Sequence, residues 1–292
     1  MPQRRWPMQA GFAVLWGATL LGVRLVVAGF GWAPATVLTM LVVAATIAAA
    51  TRLAGSHPRL GGPAVPLLLL SLGLAVENAG LCLAFDQLGI APAVLVLAAM
   101  PLFATLTGQV WGIDRITGAA AAGLAVGFVG LLLVVAFPAA GDTWAFISGV
   151  LAALLSALAA AFVSRYATLR VAERPETAIT AHLLAVVICV PLLFAFPGGG
   201  NGGAGGYAAL LLVALGVVVL GPMVGVRPAG SPDAALLGPL KLAGMVLVLV
   251  AGIVLAGDRL SWGQVAGGVL IAVGTLLVTG LAPARLLPRW RG

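Results

Sequence analysis

Residues 111–135, WGIDRITGAAAAGLAVGFVGLLLVV, and residues 255–279, LAGDRLSWGQVAGGVLIAVGTLLVT, align at one constant offset. Asp114 and Arg115 fall on Asp258 and Arg259, Gly123 on Gly267, and Gly130 on Gly274. Gly and Ala coincide often by chance in such a composition, so the Asp-Arg anchor carries the alignment. Each copy sets a polar turn before an apolar run of the length that crosses the ~30 Å hydrocarbon core of a bilayer. The copies read as the ends of two related units, residues 1–140 and 141–292.

The flanking sequence has the same texture. Of the 292 residues 62% are hydrophobic and 8% charged, the balance of a membrane protein and not of a soluble domain. Apolar runs between Gly, Pro and charged punctuation predict helices at 10–30, 34–53, 64–84, 88–110, 117–137, 146–165, 177–196, 207–226, 233–256 and 262–282. Ten such spans make an all-α integral membrane protein and leave no water-soluble domain. The opening MPQRRWPMQAGFAVLWG imitates a signal peptide, but its apolar run continues to Phe30, which favours a retained first helix. Cys82 and Cys189 lie within apolar runs, as small hydrophobes do, and not as halves of a disulfide.

Charge sets the direction of the spans. With the N-terminus in the cytoplasm, the cytoplasmic segments collect Arg4, Arg5, Arg52, Arg59, Arg115, Arg165, Arg170, Arg174, Arg227, Arg285, Arg289 and Arg291, and the opposite side collects Arg259. Arg24 and Lys241 fall inside spans, which accounts for all 15 basic residues. One missed or invented helix would invert every later loop and destroy this asymmetry, so both termini are predicted to be cytoplasmic. The net charge of +7 is scattered singly over span ends, which reads as topology and not as a nucleic-acid footprint. The segment FPGGGNGGAGGY, 196–207, reads as a flexible outside connector; no Lys or Ser/Thr follows it as in a phosphate-binding loop.

Because five is odd, a second five-helix unit enters the membrane from the side opposite to the first. That is an inverted-topology repeat, a plan that places a solute site near the midplane between the halves. In the first span LWGATLLGVR sets Trp16 and Gly17 before Arg24; later MPLFATLTGQVWGIDR sets Pro101 about one helix-length before the acidic turn at Asp114. With these motifs the chain resembles the drug/metabolite transporter superfamily, specifically its EamA-like ten-helix exporters, over nearly its whole length. It departs from them by using Asp in both acidic turns, at Asp114 and Gly257-Asp258, by inserting Ile113 after Gly112, and by placing Met245 where a second Pro would fall. The resemblance implies a multi-pass transporter of the cell (plasma, or inner) membrane that carries small metabolites.

An ionisable residue at mid-bilayer costs several kcal/mol on insertion scales, so each needs a partner or a use. Glu77 lies roughly 16 Å into its span and Lys241 about 12 Å, at 1.5 Å per residue. Lys241 is the one lysine among the 15 basic residues, and Lys can exchange a proton where Arg does not. Glu77 with Asn78 reads as a carboxylate that binds an amine or couples to protons, beside an amide that hydrogen-bonds cargo; Glu77 equally reads as the structural ion-pair partner of Lys241 or Arg24. Arg24 lies nearer the outside end, where it contacts cargo or snorkels, and Trp16 stacks on cargo or packs. His182, near the cytoplasmic face, reads as a packed histidine. Asp114 and Asp258, each beside an Arg and just before a Thr or Ser, read as caps of helix ends. Pro101, Pro191, Pro222 and Pro239 interrupt spans, freeing carbonyls or making hinges. The pairs Gly123/Gly127 and Gly221/Gly225 permit close packing within a protomer or between the protomers of a homodimer.

The expected function is a secondary transporter, an exporter of amino acids or related small metabolites, with Glu77, Asn78, Lys241, Trp16 and Arg24 as substrate-binding residues. Coupling comes from protons or a solute gradient, since the sequence has no nucleotide motif and implies no cofactor, metal or catalytic residue. A membrane-embedded enzyme is disfavoured by two His and two Cys far apart and by the lack of HExxH or GxSxG. A non-transporting scaffold or regulatory subunit is the alternative, and such a protein has no need of midplane charges.

Overall fold

The computed structural model of the protein describes residues 6–57, 60–112, 117–138, 142–170, 175–225 and 232–280. Among them every regular element is a helix: α1 Trp6–Phe30, α2 Trp32–Leu53, α3 Ala64–Leu88, α4 Ile90–Leu97, α5 Met100–Val110, α6 Gly118–Ala136, α7 Thr143–Arg170, α8 Pro175–Ala195, α9 Gly203–Gly225, α10 Pro232–Leu255 and α11 Trp262–Val278. Eight stretches are long and apolar enough to cross a membrane, Ile90–Val110 counting as one, and the apolar helices Pro239–Leu255 and Trp262–Val278 are shorter. Val14, Leu132, Val187, Leu211 and Val254 are each more than half exposed on the outside of the bundle. Apolar helices with apolar outer faces are the build of a helical multi-pass membrane protein.

The run expected as one helix over 88–110 is two. Pro101 has no N–H to give the carbonyl of Leu97 and its ring crowds that carbonyl. The chain tightens there: Ala99 donates to Val96 O and Leu102 to Ala99 O, i to i−3 bonds of 3.1 and 2.9 Å. All eight residues of α4 are buried, so this half-span runs through the centre of the bundle.

Hydroxyls start the helices that follow the two aspartate turns. Thr117 Oγ1 accepts from the amide of Ala120, and Ser261 forms a reciprocal capping box with Gln264. Asp114 and Arg115 lie outside the described residues. Asp258 does cap a helix, but not the next one: its Oδ2 accepts from the amides of Ile90 and Ala91 at 2.8 and 2.7 Å, at the start of α4. The α3–α4 reversal takes one residue, Gly89, with φ 78°.

Helix pairs are set by glycine. A Cβ on Gly123 would lie 2.7 Å from the carbonyl oxygen of Gly274, and one on Gly274 2.6 Å from that of Gly123. A Cβ on Gly130 would lie 2.5 Å from the carbonyl oxygen of Gly267, and Gly267 faces Gly130 in return. One number rises as the other falls, so α6 and α11 cross antiparallel, at the glycines that align between the two sequence copies. Gly127 takes part in the same crossing, whereas the side-chain positions of Gly221 and Gly225 lie outside the described residues. Elsewhere α3 packs on α7, α1 on α9 and α10, α2 on α8, α4 on α10, and α4 and α5 on α7. Exchanging, in chain order, the helices before residue 140 with those after it, α4 and α5 taken together, converts α3–α7 into α1–α9 and α1–α10 into the contact of α7 with α4 and α5. It leaves α2–α8, α4–α10 and α6–α11 unchanged.

The helix ends form two groups. Gly202 N–H donates to Gly29 O, Phe30 meets Tyr207 edge-on, Trp32 meets Phe196, and the Ser261 hydroxyl donates to Phe137 O. At other ends Gly61 N–H donates to Thr180 Oγ1, and Trp111 of the turn after α5 packs on Phe162 and Tyr166 of α7. The glycine-rich segment is therefore no loose connector: its backbone lies directly on Gly29 and Phe30, where side chains at Gly198 or Gly200 would strike the Phe30 and Gly29 carbonyls.

Gly130→Leu is expected to destabilise the fold by at least the ~1–3 kcal/mol typical of overpacking, because the obstacle is backbone. Gly118→Ala, with open space around it, is expected to be neutral. Thermal unfolding in detergent compares the two; equal melting temperatures would show that the α6–α11 crossing does not need its glycines.

Candidate functional site

Trp16, Glu77 and Lys241 each occupy the middle third of a long helix, on α1, α3 and α10. α1 and α10 approach through Gly17 and Gly244. A Cβ on Gly17 would sit 2.8 Å from Gly244 O, and one on Gly244 2.6 Å from Ala13 O and 3.0 Å from the Trp16 ring. Lys241 lies about one turn before Gly244 and crosses the face of Trp16, its Nζ 4.5 Å from the ring centroid. This is a cation–π contact, strengthened where water is scarce. Phe12 lies parallel to Trp16 one turn earlier, ring centroids 6.4 Å apart.

α3 brings the opposite charge. The Ser156 hydroxyl donates to the backbone carbonyl of Glu77 at 2.7 Å, and Gly80 lets α7 close to where a Cβ would lie 2.6 Å from Ala152 O. Glu77 and Lys241 make no contact ion pair with each other. Both side chains are half-buried. The Glu77 carboxylate has no hydrogen-bond partner among the described residues. Trp16 Nε1 and Arg24 Nε are fully buried and also lack one. Buried polar groups are paired in the great majority of cases; Gln264 Nε2 and Thr275 Oγ1, on α11, are the other two buried exceptions among the described residues.

The structure thus brings Trp16, Glu77 and Lys241 together. Arg24, two turns beyond Trp16 on α1, is half-buried toward the far end of the helix and makes no ion pair with a described residue. Asn78 is placed differently from its neighbour. Its Nδ2 donates to Thr36 O at 2.9 Å and to Thr39 Oγ1 at 2.7 Å, so its donor side ties α3 to α2 beside Glu77. His182 Nδ1 bonds to Ala178 O at 2.8 Å, one turn back on its own helix, as a packed histidine does. Cys82 and Cys189 are both free and buried. Sequence reading missed the supports, Ser156, Thr36, Thr39 and the Gly17–Gly244 contact. Their signal is small or hydroxylated residues inside apolar runs, a pattern too common to single out any position.

No family model and no curated protein matches the chain. A solved crystal structure of a protein 23% identical in sequence matches it with a TM-score of 0.66, over 96% of this chain and 98% of that one. The similarity spans essentially both chains and is one of fold.

Asn78→Leu is expected to cost about 1–3 kcal/mol, since it removes both hydrogen bonds that tie α3 to α2 and leaves the buried Thr39 Oγ1 without a donor. The melting temperature should fall, whereas Asn78→Asp, with one acceptor facing another, should lower it at least as far. An unchanged melting temperature in both variants would rule out the tie between α2 and α3.

Proposed function

We propose that the protein is a ten-span secondary transporter of the drug/metabolite transporter type, two inverted five-helix units at 1–140 and 141–292, exporting amino acids or related small metabolites. The observation that carries the reading is a carboxylate and an ammonium held apart at mid-helix depth, Glu77 on α3 and Lys241 on α10, with the Trp16 ring and its unpartnered N–H beside them.

The helix-end contacts support ten crossings. Counting α4 and α5 as one span, the turns after spans one and seven touch at Gly29 and Gly202, those after three and nine at Ile90 and Asp258, and those after five and nine at Phe137 and Ser261. The chain after span two meets the start of span seven at Gly61 and Thr180, and the ends of spans four and six meet at Trp111 and Phe162. Odd turns meet odd and even meet even, as alternating crossings require. The exchange of helix contacts between halves and the antiparallel α6–α11 crossing support the inverted repeat. Arginines of the even segments put those segments, and both termini, in the cytoplasm.

The chemistry of the site favours a zwitterion. A solute ammonium pairs with Glu77, while its carboxylate takes Lys241 and the indole N–H; an apolar side chain fits against Trp16 and Phe12. Lys241 leaves the Trp16 face when a carboxylate offers it a better partner. Glu77 takes up a proton in place of the departed amine, which couples export to a proton gradient. The two halves rock about this site, which opens alternately to either face.

Flux of an amino-acid panel into proteoliposomes with an imposed pH gradient tests the reading. Glu77→Gln and Lys241→Met are each expected to lower flux of the transported solute about tenfold or more, the loss of roughly 1.4 kcal/mol of binding. Glu77→Gln is also expected to remove the dependence on the pH gradient. Undiminished flux in both variants, or no flux of any panel member in the intact protein, would favour a scaffold or regulatory subunit.

Sidedness is separately measurable. In a Cys82→Ser, Cys189→Ser background, Ala204→Cys is expected to react with a membrane-impermeant maleimide on intact cells, and Leu60→Cys only after permeabilisation. Labelling of both from one side would contradict alternating ten-span topology.

A further inference from the structure

Asp258 joins parts of the chain that the sequence keeps 167 and 168 positions apart. One carboxylate oxygen accepts both Ile90 and Ala91 N–H, the first amides of α4. The amide of Asp258 donates to Gly252 O at 3.0 Å, so the last turn of α10 presents that carboxylate rigidly. Space around it is exhausted. A Cβ on Gly89 would lie 3.0 Å from Asp258 Oδ1, and one on Gly252 2.9 Å from Ala91 N and 3.0 Å from Asp258 Oδ2. The fit between the α3–α4 junction and the α10–α11 turn is thus glycine-close on both sides, with a single ionisable group in its middle.

What Asp258 holds is a short rod with a joint at each end. α4 has eight residues, all buried; Gly89 at φ 78° joins it to α3, and the tightened Ala98–Ala99 turn before Pro101 joins it to α5. α10, to whose end the latch is attached, carries Lys241 half its length away. A shift of α10 as Lys241 leaves the Trp16 ring therefore pulls on the start of α4 through Asp258. The geometry points to Asp258 as a latch that couples α10 to α4 and keeps α4 covered at the face where the α3–α4 and α10–α11 turns meet. This inference rests on the transporter reading for its purpose, but the latch itself is testable without any solute.

The reporter is Val94→Cys, at a position of α4 that is 2% exposed, in the Cys82→Ser, Cys189→Ser background. Reconstituted protein is treated with a membrane-impermeant thiol reagent from the face of the α10–α11 turn, and the modification rate is read by mass shift. With Asp258 intact the reaction is slow. Asp258→Asn, which keeps the shape and weakens the acceptor, is expected to speed it about tenfold, with Asp258→Ala at least as fast. Gly89→Ala, which displaces the carboxylate from the other side, is expected to give the same rise, with no further increase in the double variant. A melting temperature that drops with no change in labelling rate in any variant would make Asp258 a static helix cap and overturn the latch. Additive rises from Gly89→Ala and Asp258→Ala would also overturn it, since the two would then act separately. Absent flux in the intact protein, with the labelling pattern as expected, would refute the transporter reading and leave the latch standing.

Discussion

A backbone amide or carbonyl left without a partner in hydrocarbon costs several kcal/mol, and everything in this chain is arranged around that cost. Helices satisfy their own interiors; their ends need help, and it comes from Thr117, Ser261 and, across the molecule, Asp258. Side chains follow the same rule. Thr39, Thr51 and Ser71 return their hydroxyls to carbonyls of the preceding turn, and Asn78 gives its amide to α2. Among the described residues the buried exceptions are Trp16 Nε1, Arg24 Nε, Gln264 Nε2 and Thr275 Oγ1, and of these Trp16 is the one that carries an ammonium, that of Lys241, on its ring.

Lipid offers helices no hydrophobic reason to prefer one another over its own tails, so packing must come from close approach. The glycines of α6 and α11 provide it, and they do so in a pattern that the alignment of residues 111–135 with 255–279 carries into itself. The likeness of the two aligned stretches does not extend back to Pro101 and Met245. Pro101 breaks the fourth span, and its counterpart Met245 lets α10 run on. Four residues before Pro101 stands Leu97, wholly buried in α4, whereas four before Met245 stands Lys241. On the inverted-repeat reading proposed above, one unit carries the cation and the other the carboxylate, which sets the polar site between them.

The spans were legible in the sequence because hydrocarbon thickness imposes a length on each apolar run, and nine of the ten expected stretches correspond to single helices. Glu77, Lys241 and Trp16 were legible for a related reason: a charge or an indole inside such a run is conspicuous. A shared site could be expected from their depth, but the contact of Lys241 with Trp16 could not, since it depends on the Gly17–Gly244 approach, and glycines are spread through the whole chain. The caps show the same division. A hydroxyl before its own helix is a local pattern, so Thr117 and Ser261 could be read directly; the helix that Asp258 caps lies on the far side of the sequence, and no local pattern names it. The glycine-rich segment at 196–207 looked loose for want of side chains, but the missing side chains are what let it lie flat on Gly29 and Phe30.

The separation of Glu77 from Lys241 bears on how such a site works. A buried contact ion pair resists breaking by about 3–5 kcal/mol, because whichever charge is left behind stays desolvated. A solute would have to overcome that before making any contact of its own. Lys241 rests instead on Trp16, in a cation–π contact of about 0.5–2 kcal/mol. That is enough to hold an ammonium at mid-depth and too little to outbid a carboxylate. On the transporter reading proposed above, exchange between the ring and a solute would then be nearly balanced, as a carrier that must release what it binds requires.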